Sequence, residues 1–160
     1  MACQSVAFAY SLMFSFVRLM RVARWILLPI VGIAAWVTAL FTGIVAHSVA
    51  ECFCPADQMV SGMCVAPWFE NLHDWLVRFF SAFAAALIIV SCYFIAPSGR
   101  AVVAWVVFGL GGVYALWIAI ISWAWPEFIA AGVGGLAAVL LLTRGQKTFS
   151  TTNVVAPQDA

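Results

Sequence analysis

At 160 residues, 66% of them hydrophobic and 8% charged, the chain lacks the polar surface that a water-soluble fold of this size needs to cover itself. That balance leaves no room for a soluble enzyme domain and predicts an all-α integral membrane protein, one domain with about four spanning helices of ~20 residues each. The net charge of +1 is uninformative about partners, because in a membrane protein the placement of charges matters and their sum does not.

Residues 1–17 carry no charged side chain, and Arg18, Arg21 and Arg24 follow at i, i+3 spacing, which places them on one side of a helix. Charges behind the apolar run, not ahead of it, exclude a cleaved signal peptide. The stretch 1–24 is expected to be an N-terminal amphipathic interfacial helix with a basic, membrane-surface stripe. A short fifth span over 1–17 is the other option; it would need a tight turn, and no Gly, Pro or Asn lies between Arg18 and Arg24. Spans follow over 25–47, 75–95, 101–123 and 127–143, giving a four-transmembrane-helix antiparallel bundle. Pro29 sits near the start of the first, where a missing N–H costs least, and Pro97-Ser98-Gly99 stops the second. Pro126 breaks the chain before the fourth, and the polar tail 144–160 reads as a flexible cytoplasmic segment.

One long polar interval, 48–74, interrupts this pattern with three cysteines, four acids and no Lys or Arg. Arg18, Arg21, Arg24, Arg100, Arg144 and Lys147 fall on one face of the four-span plan, and Arg78 alone falls near the other. That bias predicts cytoplasmic termini, with the cysteine loop periplasmic or extracellular, in a bacterial inner or plasma membrane. Disulfides persist on that side. Cys52 and Cys54 are too close to pair without strain, so Cys64 is expected to bond one of them, closing a loop worth ~3 kcal/mol and leaving one thiol over.

Four spans, inside termini and cysteines in the first outer loop are also the general plan of the quinone-linked disulfide-generating membrane oxidoreductases. The spacing here is C-x-C instead of C-x-x-C, however, and the second outer loop (Trp123-Ala124-Trp125-Pro126) has no cysteine to complete a relay. No family is assigned on that likeness. A metal site would draw on His47, Glu51, Cys52 and Cys54, with His73 further along, but the spacing matches no zinc pattern, and a His47–Glu51 pair at a helix end is the plainer expectation. No metal and no cofactor is therefore assigned. Glu70, Asp74 and Arg78 recur at i, i+4 with both acids ahead of the base, the favourable order for side-chain pairs, and Pro67 suits a first helical turn.

Within the spans, small residues recur at packing intervals. Ala39 and Gly43, Ala82 and Ala86, Gly111 and Ala115, and Ala130 with Gly134 or Ala131 with Gly135 all follow small-x-x-x-small. A Trp-rich belt (Trp68, Trp75, Trp123, Trp125) marks the outer side. Ionisable side chains at depth, which a proton pump or haem anchor would need, are missing. The sequence thus predicts a non-catalytic membrane subunit or assembly component that contacts lipid and other membrane subunits and binds no nucleic acid. A thiol-disulfide redox protein using Cys52, Cys54 and Cys64 is the second expectation, and a homo-oligomeric pore lined through Ser81 and Ser91 the third.

Overall fold

The computed structural model describes the backbone of residues 2–152 and the side chains of residues 23–145. It is helical apart from one small hairpin. In chain order come α1 (Ala2–Glu51), a 3-10 turn (Ala56–Gln58), β1 (Met59–Val60), β2 (Met63–Cys64), α2 (Pro67–Ile95), α3 (Arg100–Ser122) and α4 (Trp125–Thr152). Four stretches are long and apolar enough to cross a membrane: Ala23–Glu51, Pro67–Ile95, Arg100–Ser122 and Trp125–Gly145. Only 11–17% of each apolar window is buried inside the chain, which leaves a large apolar surface exposed.

Several boundaries differ from the sequence-based ones. The expected break at 24/25 does not occur: α1 runs continuously for 50 residues, with Pro29 inside it. Proline there loses the hydrogen bond to the Trp25 carbonyl and crowds that carbonyl with its ring, yet the helix carries on past it. Arg18, Arg21 and Arg24 all fall within this same helix; the Arg18 and Arg21 side chains lie outside the described residues. The polar interval also contracts, from 48–74 to 52–66, because both neighbouring helices reach into it. Ser48 Oγ donates to the Ile44 carbonyl and Asn71 Nδ2 to the Pro67 carbonyl, so polar residues that look like loop are absorbed into helix ends. At 29 residues, α2 is roughly 43 Å long, the span of a bilayer including its headgroup layers. Pro67 occupies its first turn as expected.

The α3–α4 turn lies one step earlier than the sequence suggests. Trp123, at φ +59°, makes the turn, and Pro126 falls in the first turn of α4 instead of ahead of it. That first turn has no helical N–H bond for proline to lose. At the other end α4 passes Thr143 and Arg144, where the flexible tail was placed, and continues to Thr152. Thr143 Oγ1 bonds the Val139 carbonyl at 2.8 Å, and nothing in the following residues blocks the helix as proline would. Residues 153–160 lie outside the described ones.

Packing contacts fix how the helices run. Gly43 faces Phe80, and Gly32 faces Cys92, so α1 and α2 are antiparallel. Gly135 meets Phe108 while Ala104 and Val139 share a core, so α3 and α4 are antiparallel as well. Helix α2 is the hub: it packs on α1, α3 and α4, whereas among the described residues α1 has no more than marginal contact with α4 or α3. The main core comprises Ile89, Tyr93, Ala104, Ala138 and Val139. Leu28 of α1 joins a second cluster with Cys92, Ala96 and Val103 near the Ala96–Gly99 turn. Gly99, at φ +63°, makes the left-handed entry to α3.

The tightest approach is between α2 and α4, where a methyl added at Gly134 would lie 2.5 Å from the Ala82 carbonyl oxygen. Hydroxyls in the helices turn inward to their own backbone: Thr38, Thr42, Ser81 and Ser122 each bond the carbonyl four residues earlier at 2.7–2.8 Å. That is the arrangement a hydrocarbon environment demands of a polar side chain.

Candidate functional site

Charge divides between the two ends of the helices. Arg24, Arg100 and Arg144 stand at one end, the basic end; Glu51, Asp57, Glu70, Asp74 and Glu127 stand at the other, together with Arg78. The second is the hairpin end. There β1 and β2 pair antiparallel, Met59 with Cys64 and Val60 with Met63, around a two-residue turn at Ser61 (φ +53°) and Gly62 (φ +82°). Positive φ at both central positions is what a right-twisted two-residue hairpin requires.

A disulfide joins Cys54 to Cys64, with Cα atoms 5.9 Å apart. Of the two pairings open from the sequence, this is the one formed. Cys64 packs with Ala66 and Phe69, against Ala50 and Cys54, so the bond staples the hairpin onto the facing ends of α1 and α2. Cys52 is left as an exposed thiol whose Sγ lies 3.3 Å from the Ser48 carbonyl. Cys92 is buried near Leu28.

Directly beneath the hairpin, α1 and α2 diverge to leave a groove of about 510 Å³. Trp36, Leu40, Gly43, Ile44, His47 and Ser48 line it from α1 at i, i+3, i+4 intervals, one helical face. From α2 come His73, Leu76, Val77, Phe80, Ser81 and Ala84, spaced the same way. The floor is closed where Gly43 meets the Phe80 ring at 3.3 Å from an added methyl, and where Ala39 is fully buried.

Polar groups gather at the hairpin end of this groove. His47 Nδ1 lies 3.7 Å from Glu51 Oε1, the expected i, i+4 pair. The His47 ring also meets His73 edge-to-face at 5.0 Å and Phe69 at 5.4 Å. Two imidazoles, one per helix, thus stand side by side over an apolar trough, each with a nitrogen lone pair and an N–H when neutral. Among the described residues no three His, Cys, Asp or Glu side chains converge closely enough to hold a metal ion. Comparison with protein families, with curated proteins and with solved structures finds no match for this chain.

The other sequence-derived candidates fare unevenly. Asp74 Oδ2 pairs with Arg78 Nη2 at 3.2 Å, and Arg78 also sits 6.0 Å from the Trp75 ring, while Glu70 at the start of the series is exposed. Gly43, Gly134 and Gly135 all face close neighbours. Gly111 does not: an added methyl there would meet nothing within 4 Å, and the same holds for Gly109 and Gly112. Ala115 is half-buried. Gly111 lies seven residues from Ala104 and so on the same side of α3, but no described neighbour comes close to it there. The pairing of His47 with His73 has no signature in local spacing, because it depends on how far each helix extends into the loop.

Proposed function

We propose that this protein is a non-catalytic subunit or assembly component of a larger membrane complex. In this reading its basic end faces the cytoplasm and its stapled hairpin faces the outside of a bacterial inner or plasma membrane. The observation that carries it is the set of glycines on α3. Glycine inside a helix costs roughly 0.5–1 kcal/mol against alanine, yet a methyl added at Gly109, Gly111 or Gly112 would meet nothing within 4 Å among the described residues. Close approach of a helix from another chain is what returns that cost in lipid. The attachment of the described part of α1 to essentially one neighbour supports the same view, since its remaining faces there are left open to partners. Purification of the full chain in a mild detergent, with mass spectrometry of what accompanies it, tests the proposal. Defined heterologous membrane proteins should co-purify, and Gly111→Leu should remove them without unfolding the chain. Recovery of the chain alone, or of the same partners with Gly111→Leu, would refute the role.

A thiol-exchange role is the second reading, favoured by one feature: an exposed Cys52 thiol two residues from a disulfide-bonded Cys54. Under that reading the chain exchanges its Cys54–Cys64 disulfide catalytically with a dithiol substrate, and Cys52→Ser abolishes that turnover at unchanged yield; under the first, neither protein turns the substrate over.

A further inference from the structure

We infer that the groove between α1 and α2 is a binding site for one chain of a neutral-headed amphipath, a monoacylglycerol-like lipid whose uncharged head is hydrogen-bonded by His47 and His73. The inference goes beyond the subunit role and shares with it only the membrane setting. Dimensions supply the first argument. From Trp36 to Ser48 the groove follows twelve residues of α1, roughly 18 Å of helix. Spreading 510 Å³ over that length gives a mean cross-section of about 28 Å². A partner helix, at least ~10 Å across, presents about 80 Å² and could lie along the open rim but does not fit inside. A single extended hydrocarbon chain does.

Depth and polarity supply the second argument. The trough begins at the hairpin end of α1 and stops at Trp36, near the middle of the Ala23–Glu51 span. Half of a ~30 Å hydrocarbon layer is ~15 Å, so the trough matches one leaflet and not a full crossing. Its polar groups are ordered as an amphipath requires. His47, Ser48 and His73 stand at the mouth, and beyond them the lining is apolar except for Ser81, whose hydroxyl is already donated to the Val77 carbonyl at 2.8 Å.

Charge selects the head. Glu51, Glu70 and Asp74 stand around the mouth, and the one arginine at this end, Arg78, is taken up by Asp74 at 3.2 Å. An anionic head would meet three carboxylates there against a single guanidinium, whose Nη2 is already held by Asp74 and whose Nε is buried without a partner. A hydroxyl or ester carbonyl, by contrast, can accept from one imidazole N–H and donate to the neighbouring lone pair.

The test uses the full chain reconstituted in phosphatidylcholine vesicles with a monoacylglycerol carrying a photoreactive diazirine in mid-chain, and with the matching fatty acid as a separate probe. After irradiation, adducts should concentrate in peptides covering 36–48 and 73–84, about tenfold above those from 102–121 on the outward side of α3. Excess unlabelled monooleoylglycerol should compete, and oleate should not. Ala84→Leu, which fills the narrow end, and His73→Leu, which removes one donor from an exposed position, should each reduce the groove adducts severalfold. Even labelling of the groove and of α3 would show ordinary lipid contact only and overturn the inference. So would equal labelling by the fatty acid probe. Failure of the chain to float with the vesicles would overturn it together with the membrane reading, which separates the two.

Discussion

Gly134→Ala places a methyl carbon 2.5 Å from the Ala82 carbonyl oxygen and 2.8 Å from its carbonyl carbon and Cα. Those atoms are backbone of a helix and cannot swing aside, so α2 and α4 must separate along their tightest contact. Overpacking of this kind costs typically 1–3 kcal/mol, and a rigid backbone neighbour puts the cost at the upper end. Gaining an alanine in a helix returns up to about 1 kcal/mol. The net expectation is a loss of about 2 kcal/mol, near a thirtyfold fall in the folded-to-unfolded ratio. Two neighbours calibrate the reasoning. At Gly135 the added methyl meets the ends of the Phe108 and Ile89 side chains at 3.0–3.2 Å, which can yield, so Gly135→Ala should stay within about 1 kcal/mol of the parent. At Gly132 it meets nothing, so Gly132→Ala should be neutral or gain up to about 1 kcal/mol. Reversible unfolding in mixed micelles, titrated with dodecyl sulfate and followed by tryptophan fluorescence, ranks the three. A Gly134→Ala protein as stable as Gly132→Ala would refute the α2–α4 packing described above.

Loss of the staple by Cys54→Ser should cost about 3 kcal/mol, the chain-entropy value for a loop of this size, and lower the midpoint of thermal unfolding in oxidising buffer while leaving the reduced proteins alike. Cys52→Ser should leave that midpoint unchanged, since Cys52 is outside the bond. In the folded protein a maleimide should modify Cys52 promptly, and Cys92, 4% exposed, only after denaturation. Asp74→Ala should cost less than about 1 kcal/mol, because the pair with Arg78 is largely open to solvent; a larger loss by the same micelle titration would show that the arginine depends on it.

Much of the architecture follows from composition alone. Four apolar runs of spanning length, separated by Pro-Ser-Gly and by Trp-Pro, leave few other folds available. The disulfide was legible down to a choice between two partners, because a C-x-C pair excludes itself. Helix limits were not legible to the same degree. Ser48, Asn71 and His73 are polar enough to read as loop, yet they lie on helix, where the backbone four residues earlier accepts from Ser48 and Asn71. That same overrun brings His47 opposite His73, so an error in the loop ends concealed the polar mouth of the groove. The hairpin left a faint signal in Ser61-Gly62, two residues tolerant of positive φ between short apolar pairs. Small-residue spacing identified Gly43, Gly134 and Gly135 as packing positions but could not tell that Gly111 meets open space, because whether a neighbour approaches a given stretch of helix is set by the whole assembly of helices.

The account rests on the hairpin end and the basic end lying on opposite sides of a membrane. A charged, membrane-impermeant maleimide applied to intact cells tests it through Cys52 at one end and Gly145→Cys, a position with open space around it, at the other. Labelling of Cys52 in intact cells, with Gly145→Cys reached only after the membrane is opened, is the result the account predicts; protection of Cys52, or labelling of Gly145→Cys from outside, would contradict it.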